Sequence, residues 1–309
     1  MSHLFESGFT VREGAWHGLA KVVQDPPANA KEAMILAGCD WQVKKENMFL
    51  ANGMPVDGHF ATVRTSDNSV LGVVGERYNI LQNNEAFSWF DPLVDSGLIT
   101  FESAGSLNSG RRTFVQAKIK DGERDVIKGD TVLAYLLLSN SHDGSLAIDV
   151  RFSPVRVVCN NTLTAALSRD VDPHLTLKHT RYSKETLETL RETVNVAARA
   201  FDMSIDQYRY LASKNVKGLE MDYVRKVFSA DSNTENEYRY EDDVISLINN
   251  GMGQHYARGT WWAAFNGVTE FIDHVRGRDN TRLEQSWFGV GKQLRQKAME
   301  VALEYATAA

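Results

Sequence analysis

Two hydrophobic rhythms divide the chain. Through about residue 160, apolar and polar residues alternate over short runs, the period of half-buried strands. WQVKKENMFLA (41–51), HFATVRTS (59–66) and SVLGVVG (69–75) read as strands, separated by the turn material NGMPVDG and SDN. LITFESAGSL, RRTFVQAKIK, DTVLAYLLLSN and LAIDVRFSPVRVV continue the series to residue 158. NAKEAMILAGC (29–39) and NNEAFSWFDPLVDSG (83–97) interrupt it as helices, the second with Asn83 or Asn84 as cap and Asp91–Pro92 as a break. After the polar connector 168–183 the period lengthens to three or four. Leu187, Leu190, Val194, Ala197 and Phe201 fall on one helical face behind a Ser183 cap, and four further helical segments follow. The pattern predicts an α+β fold with an antiparallel sheet, organised as an α+β sheet domain (1–170) and a helical domain (183–309).

Parity assigns faces within the strands. In RRTFVQAKIK, Thr113, Val115, Ala117 and Ile119 form an apolar face. Arg112, Phe114, Gln116, Lys118 and Lys120 form the other. The second face is either solvated or a strip that meets a phosphate backbone, with Phe114 free to stack on a base. In VRFSPVRVVCNNTLTAAL (150–167) the apolar set is even-numbered through Phe152 and odd-numbered from Val155. A bulge at Ser153–Pro154 would produce that slip. It would bring Arg151 and Arg156 out together, beside Asp149, and turn Cys159 inward. Asn160 or Asn161 would then cap a short helix. SNSHDG (139–144) reads as a hairpin turn.

Charge and cysteine content narrow the function. The 309 residues carry a formal net charge of −6 and two cysteines, Cys39 and Cys159. The stretch 231–243, with six acids against Arg239, supplies −5 of that charge. The balance argues against a wholly basic surface and leaves a local basic groove open. Two cysteines make no disulfide framework. No apolar run is long enough for a membrane span and no signal peptide opens the chain, so a soluble cytoplasmic protein is expected.

Catalytic chemistry finds little support. Cys159 precedes an expected helix, but parity buries it and no local motif brings His142, His174 or His179 to it. Paired cysteine spacing and His-Glu-x-x-His are absent, so no metal is expected. FGVGKQL (288–294) lacks the first glycine of a phosphate loop, and Gln293 stands where Ser or Thr would hold magnesium. The expectation is a protein that catalyses no reaction and uses no cofactor. Trp261, Trp262, Phe265 and Phe271, set among Arg258, Arg276, Arg278 and Arg282, read as a core helix with basic ends or as a basic, aromatic contact for nucleic acid.

Five segments in order, AWHGLA (15–20), RYNILQNNEAF (77–87), PVRVVCNNTL (154–163), GTWWAAFNGVTEFIDH (259–274) and WFGVGKQLRQKAME (287–300), resemble the phage/plasmid-like protein family, a domain of unknown function common on mobile elements. The resemblance implies a phage, prophage or plasmid origin and transfers no catalytic residue. At the level of fold, hairpins with a basic outer face leading into a helix are similar to the core of Rad-fifty-two-type single-strand annealing proteins. That likeness implies a homo-oligomeric ring or arc holding single-stranded DNA by its backbone. Arg111, Arg112, Lys118, Arg151 and Arg156 would bind phosphates and Phe114 would contact bases. The leading expectation is therefore a DNA-binding protein that anneals single strands in recombination. The rival is a protein-interaction factor of a mobile element, such as a host-defence antagonist or assembly component, with a host or phage protein as partner.

Overall fold

The structure, a computed structural model, describes residues 5–11, 20–146, 149–158, 161–162, 174–176, 185–229, 240–278, 285–287 and 289–308. Cys159, the segment 163–167 expected to form a helix, the Ser183 cap and residues 231–239 of the acidic stretch lie outside it. The fold is α+β. One sheet has eight strands: β1 (Phe5–Val11), β2 (Lys21–Val23), β6 (Ile99–Leu107), β7 (Arg112–Ile127), β8 (Asp130–Ser141), β9 (Asp149–Arg156), β10 (Asn161–Thr162) and β11 (His174–Thr176). Its order is β10-β9-β8-β7-β6-β1-β2, with β11 also on β9; the β1–β2 pair is parallel. A second, antiparallel sheet is β3 (Val43–Phe49), β4 (Pro55–Arg64) and β5 (Val70–Gly75).

The chain divides into two compact units. Met1–Lys120, Leu136–Phe152 and Pro173–Asn195 make the first; Asp121–Tyr135, Ser153–Asp172 and Val196–Ala309 make the second. In the first, the Asn29 side chain accepts the Glu32 N–H at 3.0 Å and so caps α1 (Ala30–Leu36). Gln82, not Asn83 or Asn84, caps α2 (Asn83–Ser88) through a capping box with Glu85. Pro92 then opens α3 (Asp91–Asp95), as its fixed φ favours. The odd face of β7 is buried as parity predicts, with Thr113, Val115, Ala117 and Ile119 inside. Phe101, paired with Ala117, lies on that face and meets Phe90 edge to face at 6.1 Å between ring centroids.

On the even face, Gly8 pairs with Gly105, and Gly105 with Phe114. A Cβ on Gly105 would lie 2.5 Å from the Ser7 carbonyl oxygen and 3.1 Å from the Phe114 ring. The bare backbone is what admits the ring. Gly105→Ala is expected to overpack this row by about 1–3 kcal/mol, read as a lower urea midpoint.

The second unit is built around α7 (Trp261–Glu270), every residue of which is buried. Thr260 caps it by accepting the Ala263 N–H. Around it stand α4 (Glu185–Ala212), whose C-terminal part belongs to this unit, α5 (Glu220–Phe228), α6 (Glu241–Asn250) and α8 (Val290–Ala308). Trp262 stacks on Tyr208 at 4.8 Å, and Trp261 on Tyr305 at 5.3 Å. A Cβ on Gly267 would lie 2.7 Å from the Ile248 backbone, so glycine sets the close approach of α6 to α7. Trp261, Trp262, Phe265 and Phe271 are core side chains, which decides between the two readings of that segment in favour of the core. Among the described residues no helix is long and apolar enough to cross a membrane.

Candidate nucleic-acid interface

The basic residues singled out from the sequence separate into accessible and buried ones. Arg111 is exposed, and Arg112, Lys118 and Arg151 are partly exposed. Phe114 has no exposed surface. It lies over Gly105 and is not free to stack on a base, which corrects the parity reading of this position. The physical reason is the glycine row, which makes an apolar bed on the face expected to be solvated.

Arg156 requires a second correction. It is 1% exposed, with Nε donating to Asp130 Oδ1 and Nη2 to Asp130 Oδ2, both at 2.7 Å. Nη2 also donates to the Gly253 carbonyl at 2.9 Å, and the guanidinium sits 5.6 Å from the Trp262 ring centroid. Arg156 lies inside and Val157 outside, opposite to the parity expected after the proline. Val150, Ser153, Pro154 and Arg156 are buried, Arg151, Phe152 and Val155 are half-buried, and Val157 is exposed. β11 pairs with residues 149–151 of β9 and β10 with 155–156, leaving Pro154 between them on that edge, where its missing N–H disrupts neither pairing. Asn161 pairs with Arg156 as part of β10, and the helix expected after it lies outside the described residues.

Two of the accessible cations, Arg111 and Arg112, sit at the β6–β7 turn of the first unit, whereas Lys118, paired with Thr100, lies at the far end of the β6–β7 pairing. Asn108, Ser109 and Gly110 have φ of 53°, 54° and 86°, three left-handed residues in succession. Two of them are not glycine, and such conformations are held only where the surroundings dictate them. Beneath the turn, Arg64 donates to Glu6 Oε1 at 2.7 Å and pairs with Asp67 at 3.0 Å, so its charge is already matched. Arg111 emerges directly after the turn and Arg112 begins β7.

The β8–β9 connection holds these two arginines from the other side. The His142 N–H donates to the Arg111 carbonyl at 2.8 Å, and Arg112 Nη2 donates to Ser145 Oγ at 3.1 Å. Tyr78 donates to the Ser141 carbonyl at 2.6 Å; burial first, and Asp143 second, push its hydroxyl up to about 12, so it stays a donor. Ser139, Asn140 and Ser141 end β8, and His142, Asp143 and Gly144 open the β8–β9 connection, which also anchors the arginines. The sequence reading missed His142, Asn83 and Ser145 as parts of the site. The signal present was LNSGRR, turn residues running straight into paired arginines. Cys39 is buried, and burial pushes its thiol well above the usual range. Among the described residues no group of His, Cys, Asp and Glu could hold a metal.

The fold and this turn define an α+β protein with a compact basic corner on its larger sheet. Residues 70–299 match a family described as Domain of unknown function (DUF932), and the chain belongs to that family. Comparison with curated proteins and with solved structures gives no match.

Proposed function

We propose that the protein binds single-stranded DNA through its sugar–phosphate backbone and promotes annealing, as a self-associating recombination protein of a phage, prophage or plasmid. One observation carries the reading. From residue 103 to residue 120 the chain has four bases, Arg111, Arg112, Lys118 and Lys120, and no acid. All four are at least partly exposed, in a protein whose net charge is −6. Local charge of this kind recruits phosphates despite an acidic total. Burial of Phe114 sharpens the mechanism: contact through phosphates alone leaves bases outward, which pairing with a complementary strand requires. Arg151 extends the set, and Arg156 leaves it.

The test is charge reversal at the accessible positions. Arg111→Glu with Lys118→Glu is expected to weaken binding of a labelled oligothymidylate by about a hundredfold at low salt, on the scale of released phosphate contacts. Arg258→Glu, an exposed arginine of the second unit, is expected to leave binding within a factor of about two. Equal weakening by both variants would sink the reading.

A protein-interaction role is the second reading, favoured by Phe49, Leu50 and Met54, which are 63%, 54% and 57% exposed in and beside the β3–β4 hairpin. In that case Phe49→Asp would impair propagation of the parent element while the arginine reversal would not.

A further inference from the structure

We infer that His142 is the positioning residue of the Arg111–Arg112 corner, an inference that rests on the nucleic-acid reading above. The ring is fully buried, and its Nε2 lies 2.9 Å from Asn83 Oδ1. The Asn83 amide nitrogen already donates to the carbonyls of Cys39 and Trp41, at 3.0 and 3.4 Å. Its Oδ1 is therefore the acceptor, and Nε2 of a neutral imidazole carries the proton. Nδ1 has no hydrogen-bond partner among the described residues. Trp41 closes over the ring edge to face at 5.3 Å. The histidine thus has one orientation, keyed to the start of α2.

From that orientation both arginines are held through one loop. The His142 backbone N–H donates to the Arg111 carbonyl at 2.8 Å, so the ring acts on Arg111 through the main chain it orients. Three residues on, Ser145 Oγ receives Arg112 Nη2 at 3.1 Å, while the Ser145 N–H is held by Asp143 Oδ1 at 2.9 Å. Thr113, next to Arg112, points its hydroxyl at the same Asn83 Oδ1, 3.4 Å away. Asn83 therefore ties the loop and β7 to one point, and the imidazole is the strut between them. Without the strut, the two guanidinium groups lose their common frame while the rest of β7, paired along β6, stays in place.

The readout is the salt dependence of binding, because a loss of general stability leaves the number of phosphates contacted by folded protein unchanged. In fluorescence anisotropy with oligothymidylate, His142→Ala is expected to weaken binding about tenfold. It should also reduce the slope of log K against log salt by about 1.4, two phosphates at roughly 0.7 each. His142→Gln places an amide donor where Nε2 stood and is expected to restore both. An unchanged slope in His142→Ala, or a folded His142→Gln that restores neither quantity, would overturn the inference. If the wild type does not bind oligothymidylate, the nucleic-acid reading fails, and amide exchange decides the positioning separately. Amides 110–113 and 142 should lose protection in His142→Ala and recover it in His142→Gln; unchanged protection would refute the strut.

Discussion

Asp130→Ala is expected to destabilise the second unit by about 3–5 kcal/mol, seen as a lower urea midpoint by tryptophan fluorescence. The size follows from what the substitution strands. Arg156 is 1% exposed and Asp130 0%. The carboxylate receives two guanidinium N–H bonds at 2.7 Å and the Trp262 indole N–H at 2.8 Å. Removing it leaves a buried cation without the carboxylate that accepts two of its N–H groups, although the Met252 and Gly253 carbonyls and the Trp262 ring remain beside it. A desolvated charge without its counter-ion is among the largest penalties a single substitution can impose. The double variant Asp130→Leu/Arg156→Met removes both charges, and is expected to recover most of the loss. A loss below about 1 kcal/mol in Asp130→Ala would show that Arg156 reaches water after all.

Acid is expected to destabilise the first unit through His142. Burial lowers its pKa from 6.5 to about 4, against a smaller upward pull from Asp143. In the unfolded chain the imidazole takes up its proton as pH falls through about 6.5; in the folded protein it does so only near 4. Between those values the unfolded state binds more protons, so stability declines as pH falls. The full shift corresponds to about 3 kcal/mol, of which about 2 is lost by pH 5. His142→Gln cannot take up the proton. The difference in urea-derived stability between wild type and His142→Gln should therefore change by about 2 kcal/mol from pH 7 to pH 5, with the wild type the more acid-sensitive. A difference constant with pH would contradict the buried, neutral histidine.

Much of the fold was legible because hydrophobic period survives folding. The α+β class, the odd face of β7 and the core helix at 261–270 all follow from spacing. Two features were illegible for specific reasons. Phe114 was placed outside because its flanks Arg112 and Gln116 are polar, yet the two glycines that bed it lie on other strands. Arg156 was placed outside because Val155 and Val157 took the apolar positions expected after the proline. Its partner Asp130 is 26 residues away, and without that pairing an inward arginine is not a reasonable guess. The buried Asp273–Ser286–Arg295 triangle, with Arg295 donating to Asp273 at 2.6 Å, was missed for the same reason. Charges buried against distant partners leave no local pattern. The basic corner was half legible: RRTF advertised its cations, while the imidazole that orients them sat in what read as an ordinary turn.

The proposed activity is backbone binding of single-stranded DNA by the cations of residues 111–120. A salt titration of wild-type affinity for oligothymidylate measures it most directly. Four phosphate contacts are expected to give a slope of log K against log salt near −3, about 0.7 for each contact. Absence of binding at low salt, or a slope near zero, would contradict it.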